Sequence, residues 1–234
     1  MGMNDIYIKH YTKHSKNRKY EKFVPNMIET LIKNGYVYDT KSDMYYNDGK
    51  KGRWEKVELK EAIKILSQYG GLISFEQPFF ITLRIDNTIS EGLENLFKVS
   101  LSTYQGNFKQ DKDRSFDECV KNAQKLIDFA KNVWNSLNNP LYGIGEQEWY
   151  TQHPEYIPKE NDILNGQIKA NSYWLNFYGK DIIKKIGKEN LLNPPANAEI
   201  NKKQQYKKEE LKNGLLVITN PLPEVLMPLT KEGQ

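Results

Sequence analysis

Two stretches of strict alternation constrain this chain more than any other feature. In residues 79–86, Phe79, Ile81, Leu83 and Ile85 share one parity and Thr82, Arg84 and Asp86 the other. Phe97, Val99, Leu101 and Thr103 repeat the arrangement against Lys98, Ser100 and Ser102. Successive side chains on a strand point to opposite faces, so each stretch offers one apolar and one polar face. Strands buried on both sides would read as continuous apolar runs. The alternation therefore predicts an antiparallel sheet with one face covered and one wet, not a doubly wound parallel sheet.

The cover is legible as helical periodicity. Cys119, Val120, Ala123, Leu126, Ile127, Ala130, Val133, Trp134 and Leu137, led by Phe116, hold a 3.6-residue period. Ser115 and Glu118 have capping-box spacing and Asn138-Asn139-Pro140 ends the run, predicting a helix over about 115–138. Leu59, Ala62, Ile63, Leu66 and Tyr69 form a second stripe stopped by Gly70-Gly71, and Val24, Met27, Ile28, Leu31 and Ile32 a third stopped by Gly35. Proline is tolerated in a first turn, so Pro25 places the start of this third helix near Val24, with Tyr20 and Phe23 packing from the lead-in.

Residues 5–11 alternate as a first strand and 72–75 read as a short one. Residues 36–38 and 44–46 flank a polar loop as a hairpin, and 47–52 form a further turn. Residues 171–179 are an aromatic run closing on glycine, 181–187 a short amphipathic helix closing on glycine, and Asn213-Gly214 a type I′ signal between strands near 204–211 and 215–219. Residues 141–167 show no sustained period and read as a long loop in which Gly143-Ile144-Gly145 is a turn. The proline-bearing tail from Pro221 cannot hold a regular helix or central strand. These elements add up to one α+β domain over residues 1–234, a mostly antiparallel sheet covered by helices.

Composition narrows the setting. With 38% hydrophobic residues and no apolar run near twenty residues, the chain of 234 residues is expected to have no membrane-spanning helix. The polar N-terminus lacks an export segment and the single cysteine cannot form an internal disulfide, so the expected compartment is the cytoplasm. The net charge, 34 − 30 = +4, is small for a dedicated nucleic-acid binder. Lys9, Lys13, Lys16, Arg18, Lys19 and Lys22, interleaved with Tyr7, Tyr11 and Tyr20, could contact a phosphate backbone, although a solvated lysine face accounts for them more simply.

The reactive side chains do not assemble into a recognisable site. Cys119 falls on the apolar stripe of the long helix, as a core thiol does. His10 and His14 are four apart, but on a strand and loop with no third ligand, so both are expected to face solvent and no metal or cofactor is expected. Gly143-Ile144-Gly145 is too short for a dinucleotide loop. Glu146, Glu148, His153 and Glu155 are the available acid/base cluster, yet their polar setting supplies no apolar pocket to tune a carboxyl, and no catalytic residue is assigned. Aromatic anchors within a charged rim suit a protein interface. The candidate partner-binding residues are accordingly Glu146, Glu148, Trp149, Tyr150, Glu155 and Tyr156.

Leu141-Tyr142-Gly143 after a long helix, Glu146 or Glu148, Trp174-Leu175-Asn176-Phe177-Tyr178-Gly179, Ile183, Gly187 and the run Leu211 to Leu216 together carry a resemblance. Over roughly residues 70–220 the chain resembles bacterial polymorphic-toxin immunity proteins of the immunity protein 52 type, and related uncharacterised domains of mobile and defence loci. That resemblance implies an α+β fold and a protein that neutralises a cognate toxin by stoichiometric binding, without catalysis. Two departures stand against it: residues 193–203 stretch a segment expected to be short, and nothing before about Gly70 matches. Inhibitors of nucleases are generally acidic, whereas this chain is slightly basic, so a nuclease target would have to be met by the acidic 144–163 stretch alone. The alternatives are a nucleic-acid-associated protein of a phage or mobile element using the basic N-terminus, and a hydrolase using the acidic 146–155 loop.

Overall fold

The alternating strands do pair with one another, and nine more join them. The computed structural model describes residues 5–13, 20–86, 95–109, 112, 114–147, 158–168, 170, 173–192 and 207–219. In chain order the strands are β1 (Asp5–Lys13), β2 (Val37–Tyr38), β3 (Met44–Asn47), β4 (Gly52–Glu55), β5 (Gly71–Gln77), β6 (Ile81–Ile85), β7 (Leu96–Tyr104), β8 (Pro140–Gln147), β9 (Leu175–Gly179), β10 (Lys207–Leu211) and β11 (Gly214–Ile218). The helices are α1 (Tyr20–Lys33), α2 (Leu59–Tyr69), α3 (Phe116–Ser136), α4 (Glu160–Asn165), α5 (Lys180–Ile186) and α6 (Lys188–Leu192). All pairings are antiparallel, in the order β10-β11-β9-β8-β1-β7-β6-β5-β3-β4, with β2 on β5. This is an α+β fold. Among the described residues no helix is long and apolar enough to cross a membrane.

One sheet face is buried along its length against α1, α2 and α3. Ile8, Ile81, Leu83, Val99 and Leu101 from the sheet meet Met27, Ile28, Leu66, Ala123, Ala130 and Trp134 from the helices. The α3 helix begins with the capping box expected, Ser115 Oγ accepting from the Glu118 amide. Phe116 departs from the expected stripe and is exposed, because it precedes the point where the helix meets the sheet. Cys119 is buried on α3, as its position in the stripe implies.

Several local expectations fail where tertiary packing outweighs local preference. The first helix starts at Tyr20 and carries Pro25 inside it. Interior proline costs about 3 kcal/mol, but the helix buries Val24, Met27, Ile28 and Leu31 completely, each worth about 1.5–3 kcal/mol. The segments flanking residues 39–43 do not form a hairpin. Asp39 accepts from the Lys41 and Ser42 amides, at 2.8 and 3.3 Å, and turns the chain so that β2 and β3 both lie against β5. The 47–52 turn instead closes a β3–β4 hairpin.

Nor is the start of the 141–167 stretch a loop: residues 140–147 are a central strand between β1 and β9. Ile144 and Glu146 are buried on one face while Gly143 and Gly145 lie under side chains on the other. With neither face wet, no alternation survives to be read. Similarly, the β10–β11 turn is not type I′, because neither Lys212 nor Asn213 has positive φ and the register pairs Leu211 with Gly214. Gly214 is required by β9 instead: at φ 151°, a Cβ there would fall 1.9 Å from the Tyr178 carbonyl oxygen. Asn213 is left free to donate to the Trp134, Asn135 and Leu137 carbonyls at the end of α3. The tail from Pro221, and residues 193–203, lie outside the described residues.

A Cβ at position 145 would meet Trp174 Nε1 at 2.6 Å and Leu175 Cβ at 2.9 Å. Gly145→Ala should therefore destabilise the protein by about 1–3 kcal/mol, the usual range for overpacking, measured by urea unfolding. An unchanged unfolding midpoint would show that β8 is not packed in this way.

Candidate partner-binding surface

The second sheet face is divided. Following the register across the strands, Trp54, Tyr45, Leu72, Arg84, Ser100, Lys9, Ile144 and Asn176 form one cross-strand row. Ser74, Thr82, Ser102, Tyr7 and Glu146 form the next. From β8 onward these rows are roofed. Tyr142, Ile144, Tyr178, Leu215 and Val217 pack with Ile163 of α4, Ile182 of α5 and Leu191 of α6 into a second buried cluster. Short helices suffice there because each contributes two or three apolar side chains to a floor already shaped by the sheet.

On β3 to β7 the described residues place no helix over that face. Ser74, Thr82 and Ser102 floor a shallow concavity of about 620 Å³ walled by Trp54, Leu72 and Phe80. Trp54 is 62% exposed and Phe80 48%, large values for side chains of that size, and Trp54 leans on Tyr45 with ring centroids 4.9 Å apart. Lys41, Lys56 and Asp43 also line the concavity. A hydroxyl floor with aromatic walls gives rigid apolar contact and adaptable hydrogen bonding side by side, the combination that protein interfaces favour.

The seam between the bare and roofed halves is charged. Glu146 is completely buried and forms an ion pair with Lys9 on the neighbouring strand. Burial pushes its carboxyl above the usual range, and Lys9 and Lys98 pull it back only in part. Asp86, nearly buried, holds Arg84 at 2.6 Å and Lys98 at 3.0 Å.

Of the six candidate residues nominated from sequence, Glu146 is in β8 and faces inward, so it is no part of a displayed loop. Glu148, Trp149, Tyr150, Glu155 and Tyr156 lie outside the described residues, as do His14 and His153. The other described acids of the 144–163 stretch have structural partners. Glu160 accepts from the Asn95 backbone and side chain, and Asp162 from the Lys159 amide. The basic N-terminal stretch is likewise engaged where it is described: Lys9 by Glu146 and Lys13 by Asp181 at 2.9 Å.

His10 faces the core, contrary to the solvent-facing expectation. Its ring packs edge-on to Trp134 and Phe177, at centroid distances of 5.4 and 4.7 Å, above Gly143. Nε2 lies 3.2 Å from the Ala130 carbonyl oxygen, which assigns the proton to Nε2, and burial holds the imidazole down to about 3 against the opposing effect of that bond. The one mark of this environment in the sequence is that His10 shares its parity with Ile6 and Ile8 on the alternating strand. The exposed face, by contrast, had a signal in the hydroxyl-bearing parity of β6 and β7. The contribution of Trp54 could not be read, since a tryptophan in a short strand after a turn is as consistent with core as with surface.

The chain matches no known protein family and no curated protein. Among solved structures it is similar to T6SS protein PA0821 from Pseudomonas aeruginosa, at 10% identity and a TM-score of 0.48. The likeness covers 94% of this chain and 66% of that one.

Two measurements check the buried charges. His10 protonates below about 6.5 in the unfolded chain but only near about 3 in the folded one, so its contribution is present above pH 6.5 and lost as pH falls towards 3. The loss approaches about 1.4 kcal/mol per pH unit within that window. The stability difference between the wild type and His10→Phe should follow this slope in urea unfolding from pH 7 to pH 4, and a flat difference would contradict a neutral buried ring. At the seam, Lys9→Met strands a buried carboxylate and should cost about 3–5 kcal/mol, whereas Glu146→Gln leaves a lysine that can reach water and should cost less than about 1 kcal/mol. Equal losses would show that the ion pair itself, not burial of the carboxylate, sets the energetics.

Proposed function

We propose that this protein is a non-catalytic binding module that neutralises a cognate toxin by stoichiometric capture, in the manner of the immunity proteins that its short, separated motifs suggest. The observation that carries this reading is the uneven cover of the sheet. One face and half of the other are sealed by helices, while the described residues leave Trp54 and Phe80 standing in solvent beside a hydroxyl floor. Leaving such apolar area in water is unfavourable by about 25 cal/mol per Å², and a surface of this kind is ordinarily resolved by a partner. The enclosure of His10, Cys119 and Glu146 fits a scaffold whose reactive groups serve packing. Engagement of Lys9 and Lys13 in ion pairs weighs against phosphate-backbone binding through this part of the N-terminus.

The test is a titration. Toxins encoded beside the gene are each expressed and their activity measured against increasing amounts of the purified protein. Capture predicts a linear fall ending at equimolar protein, with a stable complex of matching mass in light scattering. Inactivation by substoichiometric protein would mean turnover, and no inhibition by any amount would remove the immunity reading.

A further inference from the structure

The ion pairs on and beside the bare face share an ordering. Lys41 has an 83% exposed side chain against 37% for its partner Glu76, and Arg84 57% against 8% for Asp86. Lys98 over Asp86 and Lys9 over Glu146 repeat the order, with the cation nearer solvent each time. Elsewhere the order is mixed: Glu210 is more exposed than Lys188 and Glu209 than Lys131, whereas Lys64 is more exposed than Glu61 and Lys207 than Glu209. On this face each ammonium or guanidinium group therefore stands nearer solvent than the carboxylate it pairs with. An approaching molecule meets positive charge first, above apolar walls at Trp54 and Phe80.

Resting on the protein-binding reading above, we infer that this face receives an acidic polypeptide segment carrying at least one bulky apolar side chain. The apolar side chain enters between Trp54 and Phe80, over Ser74, Thr82 and Ser102, whose small size leaves the depth for it. Carboxylates flanking it meet Lys41 and Lys56 on the rim and Arg84 towards the seam. The buried carboxylates Asp86 and Glu146 hold the inner cations in place but are too deep to repel the incoming acids, and the exposed acids Asp43 and Glu76 are outnumbered by Lys41, Lys56 and Arg84. The hydroxyl floor supplies both donors and acceptors, which suits peptide groups. A polynucleotide would favour a basic track along the face, whereas here the exposed cations are spread around the rim of an apolar hollow.

The experiment uses the intact protein and a random-peptide phage library, with an oligouridylate as the second probe. Selected peptides should be acidic and should contain an aromatic or leucine residue. Trp54→Ala or Phe80→Ala should weaken their binding about tenfold or more, as truncation of an interface anchor does, and Lys56→Glu should weaken it while reducing its salt dependence. All three side chains are exposed, so unchanged thermal melts establish that the fold is retained. Peptides that bind Trp54→Ala and Phe80→Ala as tightly as the wild type would overturn this face while leaving the protein-binding reading standing. Neutral or basic selected peptides, or none, would overturn the stated chemistry. Oligouridylate binding that is lost in Trp54→Ala and falls steeply with salt would overturn both readings, since the face would then serve nucleic acid.

Discussion

The arrangement depends on how closely β8 can approach its neighbours. This strand joins the N-terminal half of the sheet, through β1, to the C-terminal half, through β9. Its inner face carries glycine at 143 and 145, and the vacated space holds His10, Phe177 and Trp174. Any Cβ there would be within 3 Å of an aromatic or imidazole atom. The Phe177 ring and the imidazole then reach Trp134 on α3, and the helix is in turn closed at its end by Asn213 from the far hairpin. Removing side chains from one strand thus lets the aromatic core of both halves interlock.

The same joint determines where the second face is roofed. East of β8 the outward rows are apolar, Tyr142, Ile144, Tyr178 and Val217, and the short helices α4 to α6 cover them. Towards β7 they turn to serine, threonine, lysine and arginine, which need no cover. At the changeover lies Glu146, buried because it is on the roofed side and charged because Lys9 and Lys98 reach across from the other. A carboxylate in such a position contributes order more than stability. It keeps Lys9 oriented along the margin of the open face, while Asp86 holds Lys98.

Particular elements show why some of this was readable and some was not. The strands β6 and β7 are half wet, so their composition records which side meets water, and the serine and threonine positions that floor the concavity were legible as the polar parity. The α3 helix was legible to within two residues because its stripe, its capping box and its terminating proline agree. By contrast, β8 and β9 are buried on both sides, and burial on both sides erases the periodic signal. Pro25, Asn213 and Gly214 misled local reading for one reason: each answers to a distant element, respectively the core beneath α1, the end of α3 and the backbone of β9. As for the surface, the sequence pointed to Glu146 and the aromatic acidic stretch, but Glu146 proved to be interior. The exposed Phe80 shares the parity of Thr82, Arg84 and Asp86, whereas Trp54 gave no sign of its exposure.

What this chain determined by itself was which segments could be half-buried strands and which could be helices with one apolar side, because those properties follow from the spacing of neighbours along the backbone. Fold class followed from that, and so did the existence of a wet sheet face. Which part of that face the C-terminal helices would roof, which cations would stand outermost, and which histidine and glutamate would be taken out of water were decided by tertiary structure. The burial of that histidine and glutamate depends on contacts between residues more than a hundred positions apart, His10 with Ala130 and Lys9 with Glu146, and no local pattern encodes a contact of that separation.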